Sequence, residues 1–270
     1  MNYILFDGTV RTALLPFTFT RPVADIRIGI LTIREKWEKY LGTTTTTLTE
    51  EYLSEKYAVQ FHFSTTISSV EYPFVKSNEK SWQADQIFVC SGADFETLYP
   101  DVYAANHFIK CKLQMMRLVA QPNNWRIGPP LCGGLSLVHY KSFEGAASLP
   151  ALKEFFEEQY PDYLKWGIHV MVSQNGSGEL TIGDSHEYGN AFDPFDKTFI
   201  NQLIIDYMKG MANFKNWEPI QSWHGIYAKR TNGATEFVHS PEQGVTIING
   251  LGGSGMTLSF GLAEEVVGLL

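Results

Sequence analysis

The sequence predicts a protein of mixed α and β structure, and three observations carry that expectation. The central stretch holds several runs in which apolar and polar residues alternate, the pattern of half-buried antiparallel strands. Amphipathic stretches with helical spacing interrupt and follow those runs. The chain closes on a short apolar strand, a glycine-rich turn and an apolar helix, "GVTIINGLGGSGMTLSFGLAEEVV".

In chain order, "MNYILFD" is a short apolar strand, and residues 30–41, "ILTIREKWEKYL", form an amphipathic helix. The threonine run that follows buries too little apolar surface to fold alone and reads as a linker. Thr47 followed by Glu50 has capping-box spacing and predicts a helix to about Lys56. From Ala58, "AVQFHFSTTISSVEYP" alternates as a half-buried strand does. The run from Gln86 to Cys90, apolar from Ile87 on, ends instead at Ser-Gly, which suits a strand buried on both faces. Further strands are expected in "FIKCKLQMMRLVAQ", "LCGGLSLVHY", "WGIHVMVSQ" and "GELTIGD", the last two joined by the turn "NGSG". Helices are expected over residues 149–164 and 196–211, the second with Asp196 as N-cap. The final strand, "GVTIING", leads to a helix from about Met256.

With 270 residues, 44% hydrophobic and 19% charged, the chain suits one large domain or two smaller ones. A net charge of −8 argues against nucleic acid or an anionic membrane as partner. Neither a membrane-length apolar run nor a signal-peptide pattern is found, so a cytoplasmic protein is expected. Cys90, Cys111 and Cys132 are widely spaced and odd in number, which fits buried thiols in a reducing compartment. The seven histidines show neither H-x-x-H nor H-E-x-x-H spacing, so no metal site is expected. The absence of G-x-S-x-G removes the nucleophile-elbow signal of many hydrolases.

Gly250, Gly252 and Gly255 match G-x-G-x-x-G, the dinucleotide fingerprint. That reading also needs a second strand and an acidic residue about twenty positions on, and the sequence stops short of both. What remains is a glycine-rich turn where a ligand approaches backbone closely and a helix start offers unpaired N–H groups, or simply a turn required by packing.

The segment "GVTIINGLGGSGMTLSFGLAEE" resembles the C-terminal flavin-binding loop of FAD-dependent oxidoreductases related to D-amino-acid oxidase, glycine oxidase and sarcosine oxidase. "ADQIFVCSGADFETLYP", "IKCKLQMMRL", "GELTIGDSHEYG" and "SWHGIYAKRTNGATEFVHSPEQGVTIING" resemble further segments of that family in the same order. The resemblance covers roughly residues 57–270 and implies an α+β fold. An incomplete FAD-binding domain would be built from residues 58–107 and 236–270, with an antiparallel-sheet substrate domain over 108–235. It implies FAD as cofactor, a small amine or amino acid as substrate, and hydride transfer from the carbon bearing nitrogen. "GLGGSGMTLSFGLAE" and "GDSHEYG" look closest to a branch associated with phosphonate breakdown, which points to an aminophosphonate.

The family's N-terminal fingerprint for the ADP half of FAD has no counterpart here, so FAD binding is expected to be weak or absent. Residues 1–57 resemble instead the start of a Bacteroidetes-type sugar-1-phosphate nucleotidyltransferase. That resemblance would turn Arg11, Arg21 and Arg27 towards phosphates, or leave them as surface or structural arginines. Two alternatives to the oxidoreductase therefore stand: a remnant without cofactor binding, and a nucleotidyltransferase fragment.

The flavin-contact candidates are Gly250, Gly252, Gly253 and Gly255, with the N–H groups of Met256 and Thr257. Ser91 and Gly92 either sit beside the cofactor or merely end a strand. His186 and His224 are candidates for catalysis, or else satisfied core histidines. Arg117, His139, Tyr140 and Lys229, with Arg230 beside the last, are candidates for holding the substrate. His139 and Tyr140 are expected on a strand, where at most one of them faces a cavity. Cys90 reads as a strand thiol, not a flavin linkage.

Overall fold

The computed structural model describes residues 4–6, 26–28, 31–41, 46–48, 60 and 62–268. The chain divides into two compact units, residues 1–65 and 66–270.

In the first unit, β1 (Ile4–Phe6) pairs in parallel with β4 (Thr46–Leu48). β2 (Arg27–Ile28) and β3 (Leu31–Thr32) form a short antiparallel pair, and α1 (Ile33–Leu41) follows directly. A reciprocal capping box starts α1. The Thr32 N–H donates to Glu35 Oε2 at 2.6 Å, and the Glu35 N–H donates to Thr32 Oγ1 at 3.1 Å. The linker and the Thr47 cap expected in the threonine run are corrected by β4. β-branched threonines suit an extended backbone once a partner strand is present. The rest of that expected helix, with Arg11 and Arg21, lies outside the described residues.

The second unit begins with a meander of β5 (Ile67–Glu71), β6 (Phe74–Ser77) and β7 (Ser81–Gln83). Among the described residues of the long strand expected over 58–73, only β5 is extended strand. β8 (Ile87–Val89) runs parallel to β16 (Val245–Asn249), which pairs antiparallel with β15 (Phe237–Glu242). Here Ile87, Val89, Val245, Ile247 and Phe237 pack with Tyr103 of α2 (Pro100–Ala105). β8 is buried on one face only, because Phe88 between its two core residues is exposed.

The larger sheet is antiparallel throughout and centred on β9 (Phe108–Leu118). β14 (Pro219–Arg230) lies along one edge of β9. The other edge is shared by β12 (Leu180–Gly183) and β13 (Glu187–Gly189), with β11 (Met171–Gln174) and β10 (Leu131–Cys132) continuing beyond β12. The remaining helices are α3 (Ser136–His139), α4 (Leu149–Gln159), α5 (Pro161–Lys165), α6 (Thr198–Lys209) and α7 (Gly255–Gly268).

Three expectations change for local reasons. The single helix over 149–164 is two, because Pro161 cannot donate to the preceding turn and opens α5 instead. The expected strand "LCGGLSLVHY" extends only through β10. Its Gly133 passes so close to Tyr207 that a Cβ would lie 2.5 Å from the ring, and the chain then turns into α3. Asp196 does not cap α6, because its carboxylate is taken by His224 and Ser222.

Ile200, Ile204 and Met208 recur every four residues along α6 and pack with Met116, Leu118, Leu180 and Ile182 of the sheet. The even-numbered residues of β9 face this helix side. Lys112 is buried there, its Nζ donating to the carbonyls of Asp193 and Phe195 at 2.7 and 2.8 Å. Gln114 donates to Asn201 Oδ1 at 2.9 Å. Lys112→Met is expected to cost about 1–3 kcal/mol, because it leaves two loop carbonyls unsatisfied. Chemical denaturation measures the loss, and faster proteolysis near Asp193 would locate it.

Candidate functional site

The odd-numbered residues of β9 face away from α6, and the register places Tyr188, Cys111 and Tyr227 in one row across β13, β9 and β14. Burial pushes the Cys111 thiol up, against the effect of the neighbouring Tyr227 and Tyr188 hydroxyls. Burial, then the neighbouring Cys111, holds the Tyr227 hydroxyl well above the phenol range. Lys229, two residues on along the same face, donates to the Tyr188 hydroxyl at 2.9 Å.

Against this face lies a cavity of about 350 Å3, bounded by Ile226, Tyr227 and Ala228, by Cys90, Gly92 and Ala93 after β8, and by the turn after β16. Gly250, Gly252 and Gly255 line it. Gly250 and Gly252 have φ of +80° and +58°, left-handed angles that favour glycine. Asn249 ties the two loops together, donating to Gly92 O at 2.8 Å and accepting from the Gly250 N–H at 2.7 Å. The first N–H groups of α7, including those of Met256 and Thr257, lie in the helix's opening turn. The Met256 side chain itself is exposed. Ser91 turns inward, its hydroxyl donating to Asp94 O at 2.9 Å and lying 2.9 Å from the Tyr103 hydroxyl.

The second feature is a histidine cluster built by a bulge. Gly183 pairs with Met115 and Glu187 with Lys112, so residues 184–186 stand opposite only residues 113 and 114. The extra residue breaks the ladder and re-aims Asp184 and His186. Ser185 Oγ takes the freed Gln114 N–H at 3.1 Å, and the His186 N–H donates to Trp166 O at 2.8 Å. His139 from α3 and His169 from the chain before β11 meet this bulge. Ring centroids are 4.1 Å apart for His139–His169, 4.4 Å for His139–His186 and 5.1 Å for His169–His186. Tyr140 packs on His169 at 5.2 Å. Both His139 and Tyr140 therefore meet the cluster, which a helical turn followed by an extended residue allows and a continuous strand would not.

Burial pushes all three imidazoles down. His139 falls to about 4, aided by His186, and His169 to about 3, aided by His139. His186 falls to about 4, opposed by its hydrogen bond to Gly167. Burial pushes Asp184 up to about 6. His169 Nε2 and Asp184 Oδ1 lie 3.2 Å apart without the alignment of a hydrogen bond, so both buried atoms lack a partner.

The other candidates are dispersed. His224 sits on the α6 side of β14, its Nδ1 2.6 Å from Asp196 Oδ1, so strand alternation separates it from Tyr227 and the cavity. Arg117 lies beside Trp223, Gln221 and Glu179. It pairs six residues along β9 from Cys111, about 20 Å away in an extended strand. Arg230 stacks between Phe108 and Phe237. Cys90 and Cys132 are exposed and Cys111 is buried, which corrects the expectation of three buried thiols. No described helix is long and apolar enough to cross a membrane.

Sequence reasoning missed His169, Asp184 and Asn249. His169 lies inside a run readable only as a strand, and Asp184 acquires its place only from the bulge.

A family described as sugar nucleotidyl transferase matches residues 3–102, reaching past the first unit into the second. No curated protein matches the sequence. L-proline dehydrogenase from P. horikoshii is similar in structure with a TM-score of 0.56 at 14% identity, over 78% of this chain and 50% of that one. Glycine oxidase from Geobacillus kaustophilus gives a TM-score of 0.48 at 14% identity, over 81% of this chain and 49% of that one. The chain thus spans about half the length of these solved structures, and the first likeness shows a shared fold.

Proposed function

We propose that this chain carries the flavin-ring site and substrate wall of an FAD-dependent oxidoreductase acting on a small amine or amino acid. The carrying observation is the cavity between the Tyr227 face of the sheet and the glycine turn that opens α7. Its volume, about 350 Å3, is at the small end of ligand pockets and suits a ring system better than a whole dinucleotide. The fold shared with L-proline dehydrogenase supports the reading. So does Phe88: the parallel pair β8–β16 leaves it exposed, where parallel strands are ordinarily covered on both faces. That exposure fits a flavin domain completed by further polypeptide.

The residues fit the ring end of a flavin. Gly250, Gly252, Gly253 and Gly255 would let it approach the backbone, with Gly92 on the opposite rim. Bound there, the flavin supplies an acceptor for the hydride leaving the substrate carbon. The opening N–H groups of α7, including those of Met256 and Thr257, would stabilise negative charge at the ring edge. Lys229 would pair with the substrate's acidic group. His139, His186 and Tyr140 would flank the substrate. An aminophosphonate is the substrate we would test first beside simple amino acids.

The test titrates the full chain with FAD and, separately, with riboflavin, following flavin fluorescence. Saturable quenching of comparable strength by both is expected, because only the ring is gripped. Quenching by neither ends this reading. The sugar nucleotidyl transferase match supports a second one, for which thermal stabilisation by UTP with a sugar phosphate, and none by flavin, is the signature.

A further inference from the structure

We infer that His139, His169 and His186 form a binding site for a divalent transition metal of the zinc class, with the Asp184 carboxylate beside it. The three residues come from α3, from the segment entering β11 and from the bulge after β12, and one potential ligand atom of each lies within 4.8 Å of the others. A tetrahedral site with metal–nitrogen bonds of about 2.0–2.1 Å has its ligands roughly 3.4 Å apart, so side-chain shifts of about 1 Å close this one. His139 is only partly buried and ends a four-residue helix, so its side chain is the one free to make that shift.

Two independent features point to a cation. First, the buried His169 Nε2 and Asp184 Oδ1 have no hydrogen-bond partner, and such atoms are costly to leave unmet. Their 3.2 Å separation puts the carboxylate within reach of a cation bound at His169 Nε2. Second, the outer atoms are already held. His186 Nδ1 is 2.9 Å from Gly167 O, which fixes the tautomer that leaves Nε2 with a lone pair. His169 Nδ1 lies 3.4 Å from Ser136 Oγ.

Imidazole ligands suit zinc and its neighbours, and three of them leave a fourth position open. A cavity of about 210 Å3 lined by His139, His169, Gly167 and Leu135 reaches the cluster. The class of ligand for the open position is an anion, carboxylate or phosphonate, held directly by the metal. The site stands without the flavin reading, although an acidic substrate would serve both.

The test uses the untagged full chain, stripped with a chelator and free of flavin and amine. Zn2+ is titrated calorimetrically, and Co2+ is followed by its visible ligand-field absorption. One equivalent per chain is expected, with the intense bands of four-coordinate cobalt. His139→Gln and His186→Gln should each weaken uptake by about 100-fold or more, the upper end of outer-shell effects. Asp184→Asn should weaken it by about 10-fold. Circular dichroism confirms that the variants are folded. His139→Gln is decisive because that residue is partly exposed and its loss spares the core. Absence of saturable uptake, or uptake that His139→Gln and His186→Gln leave unchanged, overturns the site. Either result leaves flavin quenching by the same protein as a separate measurement.

Discussion

Ile204→Ala is expected to lower the unfolding free energy of the second unit by about 2–5 kcal/mol. Ile204 is fully buried, on the stripe of α6 that packs with Met116, Leu118, Leu180 and Ile182. Truncation removes apolar contact on that stripe, and a rigid sheet can refill the space only partly. In a unit of this size each kcal/mol moves the thermal midpoint by about 2–4 °C. Thermal melts followed by circular dichroism should therefore show a fall of roughly 5–20 °C, with Ile204→Val losing about 0.5–1.5 kcal/mol. A fall of only a degree or two would mean that α6 is not seated on the sheet as described. The placement of Gln114 and Lys112 would then fail with it.

Gly250→Val should weaken flavin-ring binding by about 10–100-fold while leaving the sheet intact. Gly250 has φ of +80°, and a Cβ there would lie 3.3 Å from Arg230 Cγ and 3.4 Å from Phe237. A side chain in that left-handed conformation costs about 1–3 kcal/mol, and a β-branched one is at the upper end. The turn has little freedom to relax, because Asn249 holds both the Gly250 N–H and Gly92 O. Strain of that size, relieved by moving the turn into the cavity, corresponds to the stated loss of affinity. Gly261→Ala is the matched control: it lies within α7 with nothing within 4 Å of its added Cβ. It should leave flavin binding unchanged and favour the helix by about 0.5–1 kcal/mol. Riboflavin fluorescence distinguishes the outcomes, and a Gly250→Val variant that quenches like the parent moves the ring site elsewhere.

Much of the scaffold was legible because its signals are local. β9, β12, β16 and α6 follow from periodicity within a few residues. The turn at Gly250–Gly255 announces itself through its glycines, two of which, Gly250 and Gly252, take the left-handed angles that favour glycine. The threonine run was misread for the complementary reason: a strand of three residues has no signal of its own and exists through its pairing with β1. α3 likewise depends on Gly133 meeting Tyr207 from α6, a contact distant in sequence.

The sequence by itself determined the alternating strands, the amphipathic helices and the glycine turn, since hydrophobic periodicity and backbone sterics act between near neighbours. Only the tertiary structure decided which histidines meet. His186 and His224 looked equivalent as residues, yet a one-residue bulge turned the first towards His139 and His169. The alternation of β14 turned the second under α6. Burial then set the charge of each group, because desolvation depends on what surrounds a side chain after folding and not on its neighbours in sequence.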